Sequence, residues 1–157
     1  MAEAAALAEL KEQVTAGATG LAAATGLDIT VRVTRDEGQA LTIAFEGPDS
    51  KLLAGRKGEV LEALQVLATS SCIGRGAPRL HLLFDAGGYR ERREEMLTQM
   101  AKELADEVLS TGQEAELEPL SALERRIIHQ VLVEIPGIRT YSEGEEPNRY
   151  IVIAPAQ

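Results

Sequence analysis

Leu52-Leu53-Ala54-Gly55-Arg56-Lys57-Gly58-Glu59-Val60-Leu61 is the stretch on which both the fold and the chemistry of this chain turn. Two glycines enclose two cations. Glycine lets a backbone bend sharply and lets another molecule approach it closely. Val60, Leu61, Leu64 and Leu67 recur at helical spacing, so Gly58 opens a helix. The free N–H groups at a helix start favour an anion, and a sugar-phosphate backbone suits the turn. It is not a Walker loop, because Gly-x-x-x-x-Gly-Lys-Ser/Thr is absent. A lone Gly-x-x-Gly is usually a plain helix-starting turn. The two enclosed cations and the surrounding elements lift this one above that reading.

Upstream, Ala4 to Ala24 reads as an alanine-rich helix with Leu7, Leu10, Val14, Ala18 and Leu21 on one side, ended by Gly26. Asp28 to Thr34 alternates as a half-buried strand, with Ile29, Val31 and Val33 inward. Asp36-Glu37-Gly38 is turn material, and Ala40 to Glu46 alternates again through Leu41, Ile43 and Phe45, which predicts a hairpin. A short helix, capped by Asp49 or Ser50, reaches Ala54. The Gly-Arg-Lys-Gly turn follows, then a helix to about Cys72 and a strand from Arg79 to Asp85.

Downstream, only Ala86, Gly87 and Gly88 separate that strand from a helix running from Tyr89 to about Ser110. Its apolar stripe is Met96, Leu97, Met100, Ala101, Leu104 and Val108, and Gly112 fits its C-cap. Gln113 to Glu118 reads as a strand halted by Pro119. Ser121 and Glu124 form a capping-box pattern for a helix to about Glu134. Ile138 to Ser142 and Arg149 to Ala154 read as paired strands, with Tyr141 and Tyr150 packing across them. On the helix after Ser121, the spacing assigns Leu123, Ile127, Ile128, Val131 and Leu132 to the buried half. Arg125, Arg126 and His129 fall to the exposed half. Arg125 and His129, one turn apart, would offer a planar fork for phosphate and a ring that stacks or donates a hydrogen bond. By itself, this spacing is most often the solvated face of an amphipathic helix.

Composition narrows the classes. The net charge is −9, and neither half is basic: 8 basic and 11 acidic residues run to Asp85, 8 and 14 follow it. A nucleic-acid site must therefore be a local cluster with salt-sensitive affinity. Phe45, Phe84, Tyr89, Tyr141 and Tyr150 are all the aromatics, so backbone clamping should dominate over base stacking. Cys72 is the single cysteine; it reads as a small core residue, and its solitude fits a reducing cytoplasm. No signal-peptide pattern and no membrane-spanning run occurs, so a soluble protein without membrane insertion is expected. His81 and His129 lie far apart in the sequence, so no metal or other cofactor is expected, and His81 reads as a strand residue on the less buried face. No catalytic constellation assembles, so an enzyme is not expected.

The order α-β-β-α-turn-α-β around Gly55-Arg56-Lys57-Gly58 resembles a type II KH domain, whose Gly-x-x-Gly loop clamps single-stranded nucleic acid. Asp85 to Glu94, Leu117-Glu118-Pro119-Leu120, Glu124 to His129 and Thr140 to Pro147 are similar to the Jag (SpoIIIJ-associated) family of bacterial proteins. There a KH domain is followed directly by an R-3-H domain, and Arg125 and His129 match the two residues of that name. The resemblance implies an α+β fold: a type II KH domain (αββααβ), then an R-3-H domain (αβαββ). The expected bounds are residues 1–24 for an N-terminal helix packed on the KH domain, 25–86 for the KH domain and 87–157 for the R-3-H domain.

It further implies binding of single-stranded RNA in post-transcriptional control, as an RNA chaperone would, with a link to cell elongation and division. Single-stranded DNA binding and a protein-interaction adaptor are the alternatives. A small KH-domain protein is the further partner expected. Gly55, Arg56, Lys57 and Gly58 carry over from the KH motif, and Arg125 and His129 from the R-3-H motif. Arg126 is added from helix geometry. Many relatives also carry an N-terminal Jag domain and a basic linker, for which this chain is expected to have no room. Asn148 stands where the family's Glu-Glu-Pro-aromatic-Arg stretch has an aromatic residue.

Overall fold

The structure, a computed structural model, describes residues 1–72 and 77–156, without the side chain of Cys72. The core role expected of Cys72 therefore lies outside the described residues. The chain forms two units, Met1–Arg90 and Glu91–Gln157.

In the first unit, α1 (Ala2–Thr25) leads to β1 (Thr30–Glu37) and β2 (Ala40–Glu46). Then come α2 (Ser50–Ala54), a single 3₁₀ turn (Arg56–Gly58), α3 (Glu59–Cys72) and β3 (His81–Ala86). The sheet order is β1-β2-β3, with β1 antiparallel and β3 parallel to β2. Leu10, Val14, Ala18 and Ala22 recur every fourth residue along α1 and join Leu41, Ile43, Phe45, Leu53, Leu61 and Phe84 in one core. Phe45 and Phe84 meet edge to face, with ring centroids 5.4 Å apart at 80°.

Edges account for two departures from the sequence expectation. β1 is an edge strand whose register shifts between Val33 and Arg35, so the strict alternation breaks and Val33 is 40% exposed rather than inward. The strand also runs through Asp36 and Glu37, which had read as turn. At the opposite edge, β3 leaves backbone groups without a neighbouring strand, and a side chain takes that place. Gln65 of α3 donates from Nε2 to the Leu82 carbonyl at 2.7 Å and accepts from the Phe84 N–H at 2.7 Å. Its amide thus replaces two ladder bonds. Gln65→Leu leaves both partly buried backbone groups unmatched and is expected to lower stability by about 2–4 kcal/mol. Chemical denaturation measures the loss.

The second unit is built from α4 (Tyr89–Thr111, its first two residues in the first unit), β4 (Ala115–Glu116), α5 (Ala122–Val133), β5 (Ile138–Glu143) and β6 (Tyr150–Pro155). β6 lies between β4 and β5 and is antiparallel to both. Asp85 caps the start of α4, accepting from Gly88 N at 2.9 Å and Arg90 N at 3.1 Å. Leu97, Ala101, Ala105 and Val108 bury the inner face of α4 against Ile128, Leu132, Ile151 and Ile153. Met96, placed on that stripe by the sequence pattern, is 50% exposed. Only Ala115 and Glu116 of the stretch Gln113 to Glu118 form a strand. The Ser121–Glu124 capping box is complete. Tyr141 and Tyr150 do not face each other, since Tyr141 sits opposite Val152 and Tyr150 opposite Glu143. No helix among the described residues is long and apolar enough to cross a membrane.

Candidate nucleic-acid interface

The Gly-Arg-Lys-Gly turn is built under tight steric control. Gly55 has φ 74° and ψ −173°, a region closed to other residues, and a Cβ there would lie 2.4 Å from Val60 Cγ2. Gly58 has φ 78°, and its Cβ would lie 2.5 Å from the Tyr89 ring. Between them Lys57 is held in the left-handed region (φ 53°, ψ 26°), uncommon for a residue with a side chain. Arg56 and Lys57 are exposed while Gly58 is buried. The glycines are thus pinned by Val60 and Tyr89, and the two cations stand out into solvent at the start of α3. Leu52 and Val60 add exposed apolar surface on either side of the turn in sequence, at 63% and 39%.

The second set of cations arranges differently from the sequence expectation. Arg126 and His129 are exposed, but Arg125 is only 7% exposed. The physical reason lies in the helix itself. Arg125 is about 20° round from Leu132 at 100° per residue, so it borders the apolar face. Leu123, assigned to that face, is about 180° from Leu132, and is 55% exposed. The buried guanidinium is satisfied: Arg125 Nη1 donates to the Leu120 carbonyl at 2.6 Å and Nη2 to the Glu146 carboxylate. His129 Nδ1 is hydrogen-bonded to Thr140 Oγ1, which orients the ring and leaves Nε2 for other partners.

These side chains line one depression of about 420 Å³, whose rim also includes Gln130, Ser142 and Arg149. Arg149 is exposed, and neither it nor Arg126 has an ion-pair partner among the described residues. The sequence reading missed Arg149 because it sits some 20 positions beyond His129, in the loop immediately before β6. The signal available was the stretch Glu145-Glu146-Pro147-Asn148-Arg149, whose last residue is a cation beside the strand. The phenols of β5 and β6, which do not line the depression, stay neutral. Tyr141 is pushed up from the ordinary tyrosine value by partial burial, then by Glu114 and Glu143. Tyr150 is pushed up chiefly by its hydrogen bond to Glu143. Chemically, the depression offers two exposed guanidinium groups, an imidazole, an amide and a hydroxyl: a donor set for phosphate and sugar oxygens.

Comparison with known proteins agrees with this reading of the second unit. Residues 95–155 match the R-3-H domain family. The chain is 36% identical over 129 residues to the RNA-binding protein KhpB of Bacillus subtilis (strain 168), spanning 81% of this chain and 61% of that protein. It is 34% identical over 128 residues to KhpB of Clostridium symbiosum, spanning 82% of this chain and 57% of that protein. To KhpB of Streptococcus pneumoniae (strain ATCC BAA-255 / R6) it is 32% identical over 128 residues, 81% of this chain and 39% of that protein. The chain thus spans between 39% and 61% of the length of these relatives. The chain carries an R-3-H domain in its second unit and is similar to the KhpB proteins across four fifths of its residues.

Proposed function

We propose that this chain binds single-stranded RNA through two sites, one in each unit. The observation that carries the reading is the turn at Gly55–Gly58: two exposed cations at a helix start, between glycines whose conformation and packing admit no side chain. The element order and the parallel β2–β3 pairing support a type II KH domain over residues 25–86, with residues 1–24 packed on its sheet. Residues 87–157 form the R-3-H domain on this reading. The backbone of the strand is gripped by Gly55, Arg56, Lys57 and Gly58, and by Arg126 and His129 with Arg125 beneath them. Relatives named as RNA-binding proteins favour RNA over DNA. The role that follows is cytoplasmic and post-transcriptional, RNA-chaperone-like and tied to cell elongation and division, with a small KH-domain protein as partner.

The second site is tested by Arg126→Ala with His129→Ala. Loss of two polar contacts is expected to weaken binding of an unstructured oligoribonucleotide by about 10-fold. Fluorescence anisotropy with a matched oligodeoxyribonucleotide competitor reads both the loss and the RNA preference. Unchanged affinity would remove the second site, and tighter binding of the DNA would replace RNA by single-stranded DNA.

A further inference from the structure

Arg125 and Ser50 are the buried polar or charged residues among the described residues, and Arg125 alone of the two is a cation. What it holds is one loop. Arg125 Nη2 grips the carboxylate of Glu146, and Nη1 grips the Leu120 carbonyl at 2.6 Å. The N–H of the same Leu120 donates to the Arg149 carbonyl at 3.1 Å. Within the loop, Asn148 N donates to the Glu145 carbonyl at 2.8 Å. The segment 144–149 is thus tied to Arg125 at its middle by a charge pair and at its end through one shared residue, Leu120. The loop delivers Arg149 to the rim of the depression that Arg126 and His129 also line.

We propose that Arg125 is a positioning residue rather than a phosphate ligand. Its clasp with Glu146 sets the 144–149 loop so that Arg149 joins Arg126 and His129 on the phosphates of single-stranded RNA. This rests on the RNA reading given above. The sign of one substitution separates the possibilities. Glu146 is an anion bordering a site for a polyanion, and its side chain is 57% exposed. As a bystander, its loss would tighten RNA binding. If Arg125 met phosphate directly, loss of Glu146 would release the guanidinium and again tighten binding. As half of a clasp, its loss loosens Arg149 and weakens binding.

The experiment titrates a labelled single-stranded oligouridylate with the full chain at several salt concentrations. Glu146→Ala is expected to weaken binding about 3- to 10-fold although a negative charge is removed, whereas Glu146→Gln, which keeps an acceptor for Arg125, stays nearer the parent. Arg149→Ala is expected to weaken binding about 10-fold and to flatten the slope of log affinity against log salt by about 0.7, one phosphate contact on a single strand. In the Arg149→Ala background, Glu146→Ala should add less than about twofold, because the two act as one unit. Arg125→Lys keeps the charge but not the planar fork and should match Glu146→Ala. It also carries the test should Glu146→Ala fail to fold by thermal melting. Unchanged or tighter binding by Glu146→Ala, full additivity with Arg149→Ala, or undiminished binding by Arg125→Lys would each overturn the clasp. If Arg126→Ala with His129→Ala weakens binding while Glu146→Ala tightens it, the RNA site stands and the clasp alone fails. If that double variant changes nothing, the site and the clasp fall together.

Discussion

Replacing both Arg56 and Lys57 by aspartate is expected to weaken binding of a short unstructured RNA by about 100-fold at low salt. The figure takes the low end for two charge-assisted hydrogen bonds lost, about 1.5 kcal/mol each, before any added repulsion from the new carboxylates. The loss should be large here because the rest of the chain works against binding: with a net charge of −9, there is little diffuse attraction to compensate. Both side chains are exposed at the turn, so the fold should not change. The thermal midpoint therefore stays at the parent value while affinity collapses, and the salt slope flattens by roughly 1.4, or 0.7 for each phosphate contact removed. Affinity within threefold of the parent would remove the turn from the site.

Phe45→Ala is expected to do the reverse, destroying stability while leaving the cations in place. Phe45 is fully buried on the central strand β2 and meets Phe84 edge to face. Truncating a buried phenylalanine costs about 3–5 kcal/mol, the transfer of the ring plus the cavity it leaves. Part of that is the aromatic pair itself, about 0.5–1.5 kcal/mol. From the α1 side little can fill the gap, since α1 contributes alanines at two of its four core positions, Ala18 and Ala22. The measurement is guanidinium unfolding followed by circular dichroism. Phe45→Leu, which keeps most of the volume, should recover more than half of the loss. A cost below about 1 kcal/mol for Phe45→Ala would show that Phe45 is not the centre of this core.

Much of the architecture was legible along the chain because it depends on local spacing. Four-residue recurrence in α1, alternation in β2, the capping box at Ser121 and the glycines of the turn each state a backbone geometry within a few residues of one another. What escaped depends on neighbours distant in sequence. Val33 could not be read as exposed, since alternation does not say which strand lies at an edge or where a register shift falls. Gln65 gives no local sign that it completes the edge of β3, 17 and 19 residues away. Arg125 has the look of a surface arginine until Glu146 and Leu120 are placed against it.

The sequence by itself determined which residues carry positive charge in an acidic chain, and that two glycines bracket Arg56 and Lys57 at a helix start. Those are matters of composition and of short-range steric freedom, which no packing can alter. Only the tertiary structure decided which cations are free to meet a ligand. Burial depends on what lies opposite a helix face, and a guanidinium within reach of a carboxylate and a carbonyl is satisfied in place. Arg126 and Arg149 were thereby left on the rim of the depression, and Arg125 was drawn beneath it.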